Sequence, residues 1–117
     1  MEINTSLSNL QINKLTPNIG AEIICKNVFE NLSSSICDEI YKCLIENKVI
    51  FFRDQKISPT QHINFAKSFG DIEPPHPVYP HLDDFPEIVL LENDEKNPPD
   101  TDEWHTDLTF RPNPPFA

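Results

Sequence analysis

The chain is short of positive charge. Nine lysines and arginines face 19 aspartates and glutamates, a net charge of −10 over 117 residues. Phosphate backbones and anionic membrane surfaces are held by clustered cations, so a nucleic-acid or membrane-surface role is excluded. No apolar run approaches the length of a membrane span, and Met1-Glu2-Ile3-Asn4-Thr5 lacks the basic start and apolar stretch of a signal peptide. There are only two glycines, Gly20 and Gly70, and no glycine- or serine-rich linker. The three cysteines, Cys25, Cys37 and Cys43, form no C-x-x-C pair, which excludes a zinc ribbon or a thioredoxin-like motif. They read as reduced, mostly buried thiols of a cytoplasmic protein. The hydrophobic share, 38%, allows one small domain with a modest core.

Proline is abundant and unevenly placed. Ten of the twelve prolines lie between Pro74 and Pro115, so this region must be largely extended loop. Upstream the pattern is regular. Leu10–Leu15 and Ile19–Cys25 alternate as two strands around a turn at Pro17-Asn18, which together suggest a hairpin. Ser33 caps a helix whose apolar stripe is Cys37, Ile40, Tyr41, Leu44 and Ile45, and Lys48 suits its C-terminal dipole. Val49-Ile50-Phe51-Phe52 reads as a strand buried on both faces. Ser58-Pro59-Thr60-Gln61 is a cap, a first-turn proline and a capping-box glutamine; Ile63, Phe65, Ala66 and Phe69 supply the apolar side of that second helix, and Gly70 its left-handed stop. Arg53 and Asp54 read as a local ion pair with a structural role. Glu87–Glu92 and Trp104–Phe110 complete the strand set.

The expected fold is α+β, with helices packed on one side of a mainly antiparallel sheet. Four or five strands with an uncovered edge make a weak free-standing domain, so the sheet is expected to continue in a longer protein.

Chemistry concentrates near the C-terminal end. Residues 83–107 hold ten carboxylates against one base, Lys96, and most of them read as a solvated acidic loop. Asp107 differs because His105 stands two residues before it. On a strand that spacing places both side chains on one face. An imidazole and a carboxylate side by side provide two of the three ligands of a 2-His-1-carboxylate iron centre. The same pattern also describes a surface strand whose histidine and aspartate simply bond to each other. His62 and His81 read as solvent-facing, and ten residues follow Asp107 with no further histidine among them.

Several segments, in order, resemble the taurine dioxygenase (TauD/TfdA) family. They are Ile19-Gly20-Ala21-Glu22-Ile23, Val49-Ile50-Phe51-Phe52-Arg53-Asp54-Gln55, Phe69-Gly70, His76-Pro77-Val78-Tyr79-Pro80-His81, and Asn97-Pro98-Pro99-Asp100 leading into Trp104-His105-Thr106-Asp107-Leu108-Thr109-Phe110. The resemblance implies a double-stranded β-helix (jelly roll) oxygenase that uses Fe(II), 2-oxoglutarate and O2 on a small organic acid such as taurine or a related sulfonate. It implies that residues 1–117 are the N-terminal part of one such domain, stopping before the barrel closes. His105 and Asp107 would be iron ligands. His76, Tyr79, Thr101 and Leu108 match positions at the substrate. Thr101 stands where taurine dioxygenase has an asparagine, and a hydroxyl cannot repeat the contacts of an amide. The family's distal histidine and its 2-oxoglutarate-gripping arginine have no counterpart here, so little turnover is expected of this chain alone. The competing expectation is a non-catalytic fragment or interaction module whose fold is completed by a partner. A homo-oligomer is compatible with either.

Overall fold

The computed structural model describes residues 10–116. The chain divides after Phe69 into two compact units.

In the first unit, β1 (Gln11–Lys14) and β2 (Ala21–Ile24) pair antiparallel, with Gln11 opposite Ile24 and Lys14 opposite Ala21. The expected hairpin is therefore present. Gly20 closes it at φ 88°, a backbone setting that disfavours a side chain. Its N–H donates to the Asn47 carbonyl (2.8 Å) and its carbonyl accepts from Leu15 N (2.9 Å). Helix α1 (Ser34–Asn47) then carries the chain back so that β3 (Ile50–Phe51) lies alongside β2 in the parallel sense. Pairing is mainly antiparallel, as expected, and β2–β3 is the exception: a helical crossover returns the chain to the same end of the sheet, so the second strand runs in the same direction as the first. The expectation that fails is that of a β3 buried on both faces, because its Phe51 is exposed.

Both helix starts form as their sequences dictate. Ser33 accepts from Ile36 N at 3.3 Å. Ser58 Oγ accepts from Gln61 N (3.1 Å) while Gln61 Oε1 accepts from Ser58 N (2.8 Å), a complete capping box opening α2 (Pro59–Lys67). Lys48 ends α1 in the left-handed region (φ 69°), and its Nζ donates to the last carbonyls at Ile45 (2.7 Å) and Glu46 (3.0 Å). Helix α2 ends at Ser68 in ordinary helical geometry; Gly70 is not its left-handed cap.

The core is Ala21, Ile23, Val28, Ile40 and Cys43. The buried face of α1 is Ile40, Cys43 and Asn47, whereas Tyr41 and Ile45 face outward. Asn47 is tolerated inside because its Nδ2 donates to the Cys43 carbonyl at 2.9 Å. Above this core, Phe29 meets Phe52 and Phe65 edge-on at 5.4 and 4.9 Å, and Phe65 meets Phe69 at 5.1 Å. This aromatic tier docks α2. Arg53 pairs with Glu22 across the sheet (2.8 Å) rather than with its neighbour Asp54.

The second unit holds β4 (His81–Leu82) and β5 (Phe85–Val89), an antiparallel hairpin turning at Asp83-Asp84. Strand β5 starts two residues earlier and ends three earlier than the expected Glu87–Glu92. Its pairing stops where the short partner stops, the last bond being Leu90 N to the Pro80 carbonyl (2.8 Å). Pro86 is tolerated because a two-stranded ribbon has free outer edges. The expected strand Trp104–Phe110 is absent: this segment is irregular, then a turn over Asp107–Phe110. A strand is stable only beside a partner, and among the described residues none pairs with it. The described sheets, one of three strands and one of two, do not close into a barrel.

Candidate metal-binding site

Without a ladder, His105 and Asp107 still come together. His105 Nε2 stands 3.0 Å from Asp107 Oδ1. The chain turns directly afterwards: Leu108 takes φ 51°, and Arg111 N donates to the Leu108 carbonyl at 3.0 Å. A left-handed leucine is uncommon, so the turn is held by its surroundings rather than by local preference. Both side chains are solvent-accessible, 54% for His105 and 87% for Asp107.

The other ring nitrogen sets the chemistry. His105 Nδ1 lies 2.7 Å from the Glu103 carbonyl, an acceptor, so Nδ1 carries a proton; Nε2 donates to the Asp107 carboxylate when protonated and offers a lone pair to a metal once that proton leaves. The Glu103 carbonyl first, and the Asp107 carboxylate after it, push the His105 pKa above its usual value against the cost of desolvation. Proton and metal compete for the same atom. The spacing suits a metal: two cis ligand atoms about 2.1 Å from an octahedral ion stand roughly 3.0 Å apart. The donor set, one imidazole nitrogen and one carboxylate oxygen, suits a divalent first-row ion. Among the described residues, no three His, Cys, Asp or Glu side chains gather as a metal cluster, so the structure brings together two candidate ligands and not three.

The remaining candidates lie in the same unit. His76 Nδ1 accepts from Val78 N (3.1 Å) and Tyr79 N (3.0 Å), and its ring lies 4.4 Å from the Tyr79 ring. With Nδ1 used twice as an acceptor, the neutral ring must carry its proton on Nε2, where it can donate. Tyr79 Oη donates to Asp100 Oδ2 at 2.9 Å. That bond, followed by the charge of Asp100, raises the phenol's pKa. Thr101 is exposed beside Asp100, and Leu108 is half-buried in the turn after Asp107. His81 belongs to β4 with Nδ1 2.9 Å from the Leu82 carbonyl, and His62 is exposed on α2.

Sequence reasoning missed three contributors: the Glu103 carbonyl, Asp100 as partner of Tyr79, and the Arg111–Glu73 ion pair. The first is local to the motif, whereas the second joins residues 21 positions apart. The third joins residues 38 positions apart, and nothing local announces it. A cleft of about 680 Å³ opens in the first unit beside Ile23, Ile24, Arg53 and Lys56, but none of the candidate residues lines it.

The chain is 38% identical over 111 residues to an alkylsulfatase of Acinetobacter baylyi, covering 92% of this chain and 33% of that protein. It is 34% identical over 103 residues to an alpha-ketoglutarate-dependent sulfate ester dioxygenase of Pseudomonas putida, covering 86% and 33% respectively. A crystal structure of a taurine dioxygenase from Burkholderia xenovorans superposes with a TM-score of 0.64 at 32% identity, over 72% of this chain and 32% of that one. The chain thus spans about a third of the length of these relatives. The family model described as taurine catabolism dioxygenase TauD, TfdA family matches residues 11–117. By that match, with His105 and Asp107 side by side inside it, the chain belongs to the TauD/TfdA family.

Proposed function

We propose that this chain supplies the iron-binding pair and part of the substrate pocket of an Fe(II)- and 2-oxoglutarate-dependent dioxygenase. The substrate is a small organic acid ending in a sulfur oxyanion, a sulfate ester or a sulfonate such as taurine. The observation that carries this reading is the 3.0 Å approach of His105 Nε2 to Asp107 Oδ1, with Nδ1 tied to the Glu103 carbonyl. When bound, Fe(II) supplies the oxidising chemistry, in which O2 and 2-oxoglutarate are consumed and a substrate C–H bond is hydroxylated.

The side chains have separate tasks. His105 offers an oriented lone pair and Asp107 a negative oxygen. His76 donates from Nε2 to an anionic oxygen of the substrate. Tyr79, its proton engaged by Asp100, forms a wall of the pocket rather than its main anion donor. Leu108 presents an apolar contact to the substrate's carbon chain. Thr101 offers one short hydroxyl, which favours a sulfate ester without an amine over taurine; the names of the two curated relatives support the same choice. The rest of the domain, in this proposal, is a jelly roll.

Trp104 is the chain's one tryptophan and adjoins His105, so its emission reports metal binding. Anaerobic titration with Fe(II) is expected to quench it saturably, and His105→Ala to abolish the effect. Equal quenching in His105→Ala would refute the metal site. Two protein ligands hold iron weakly, so no normal 2-oxoglutarate charge-transfer band is expected from these 117 residues. A normal band would overturn the expectation of little turnover.

One observation favours a second reading. Trp104, Phe110, Val78 and Leu91 are all strongly exposed in the second unit. Apolar groups so placed suit an interaction module completed by a partner polypeptide. Light scattering tests it: a soluble, cooperatively folding monomer counts against it.

A further inference from the structure

The metal pair sits on a segment with no ladder of its own, yet His105 and Asp107 meet. What holds that segment is visible on either side of it. Five residues before His105, Asp100 Oδ2 accepts from Tyr79 Oη at 2.9 Å. Four residues after Asp107, Arg111 Nη1 donates to Glu73 Oε2, both side chains being partly buried. Both contacts reach back to one stretch, 73–79, over sequence separations of 21 and 38 residues. His76, between them, ties that stretch to itself through the Val78 and Tyr79 amides. Arg111 also closes the backbone turn onto Leu108, so the guanidinium and the turn it anchors move together.

We infer that Glu73–Arg111 and Tyr79–Asp100 form a two-point clip that positions His105 and Asp107 for the metal. Glu73, Arg111 and Asp100 are positioning residues: they reach the ion only through the loop they hold. Two features make the clip more than general packing. A closed loop pinned at both ends has far fewer conformations than one pinned at one end, so the separation of the two ligand atoms is set before the ion arrives. The residues between the clips, Thr101 to Phe110, are exposed apart from half-buried Leu108, so burial cannot do that work.

The inference rests on the proposed metal site, and the experiment separates the two. Mn(II) affinity is measured by the EPR signal of the free ion. The order of the loop is read from heteronuclear NOEs of the Thr106, Asp107 and Leu108 amides without metal. Arg111→Met is expected to weaken Mn(II) about tenfold, the usual loss when a ligand's support is removed, and to lower those NOEs while the β4–β5 amides stay unchanged. Tyr79→Phe acts on the other point in the same direction. The exchange Glu73→Arg with Arg111→Glu restores both readouts, which a merely tolerant surface would not do. Unchanged NOEs in Arg111→Met overturn the clip whatever the metal does. So does failure of the exchange to restore them, including where Arg111→Met loses the hairpin signals. If the unaltered chain binds no Mn(II), the metal site fails and the amide measurement alone decides the clip.

Discussion

Truncating Ile40 and Ile45 to alanine tests how α1 is seated. The chemistry is identical and the two positions share one helix, but Ile40 is 1% exposed and Ile45 50%. Ile→Ala removes about three carbon groups, roughly 2.4 kcal/mol of transfer free energy if all were buried. Alanine's better helix propensity returns about 0.4 kcal/mol in both variants. At Ile40 the hole opens among Ala21, Ile23, Val28 and Cys43. A cavity there adds about 1–2 kcal/mol, for a total of roughly 3–4 kcal/mol. At Ile45 only half the side chain leaves contact, and no closed cavity forms, so the net cost is about 0.8 kcal/mol. Urea unfolding followed by far-UV circular dichroism, with a shared slope, gives both numbers. Small domains hold only about 5 kcal/mol or somewhat more, so Ile40→Ala should be largely unfolded well before Ile45→Ala begins to melt. Equal losses, or a larger loss at Ile45, would show that α1 packs through the Tyr41–Ile45 face instead, and the sheet-facing register would be wrong.

Ser58→Ala removes one half of the α2 capping box and should cost about 1 kcal/mol, while Ser58→Thr should cost much less; thermal melts compare them. Burial raises the pKa of the Cys43 thiol, the Asn47 hydrogen bond opposing it, so Cys43 should be the last of the three cysteines to react with N-ethylmaleimide, and should do so only as the chain unfolds; early labelling of Cys43 at neutral pH would refute that packing. Asp94 accepts from Asn97 N and Lys96 N, and these bonds lower its pKa. A carboxylate with a depressed folded value stabilises its loop above the unfolded value near 3.9, and that contribution is lost as pH falls through the folded value. The Asn97 amide should therefore stay protected from exchange at pH 4 and lose protection only in stronger acid, as carboxyl NMR titration of Asp94 would confirm.

Much of this was legible along the chain, because short-range chemistry decides it. Ser58, Pro59 and Gln61 announce α2 since a capping box closes within four residues. The β1–β2 hairpin follows from alternation around a turn. His105 and Asp107 were legible as a pair through their spacing and family-like surroundings, although the reason given, a strand, was not the one realised: the two side chains meet across an irregular segment and a turn. The stripe on α1 was misphased because Asn47, a polar residue, ends the buried face, while Tyr41 and Ile45, both apolar, lie outside it. No hydropathy pattern marks Asn47 as buried; its bond to the Cys43 carbonyl does.

What the sequence determined by itself was therefore the helix N-caps, the hairpin, the two helices and the identity of the candidate ligands. Each depends on residues a few positions apart. Tertiary structure alone decided that β3 runs parallel to β2, that Arg53 takes Glu22, and that Arg111 reaches Glu73. Those outcomes depend on loop closure over tens of residues, where many partners of the same charge or polarity compete and only the three-dimensional path selects one.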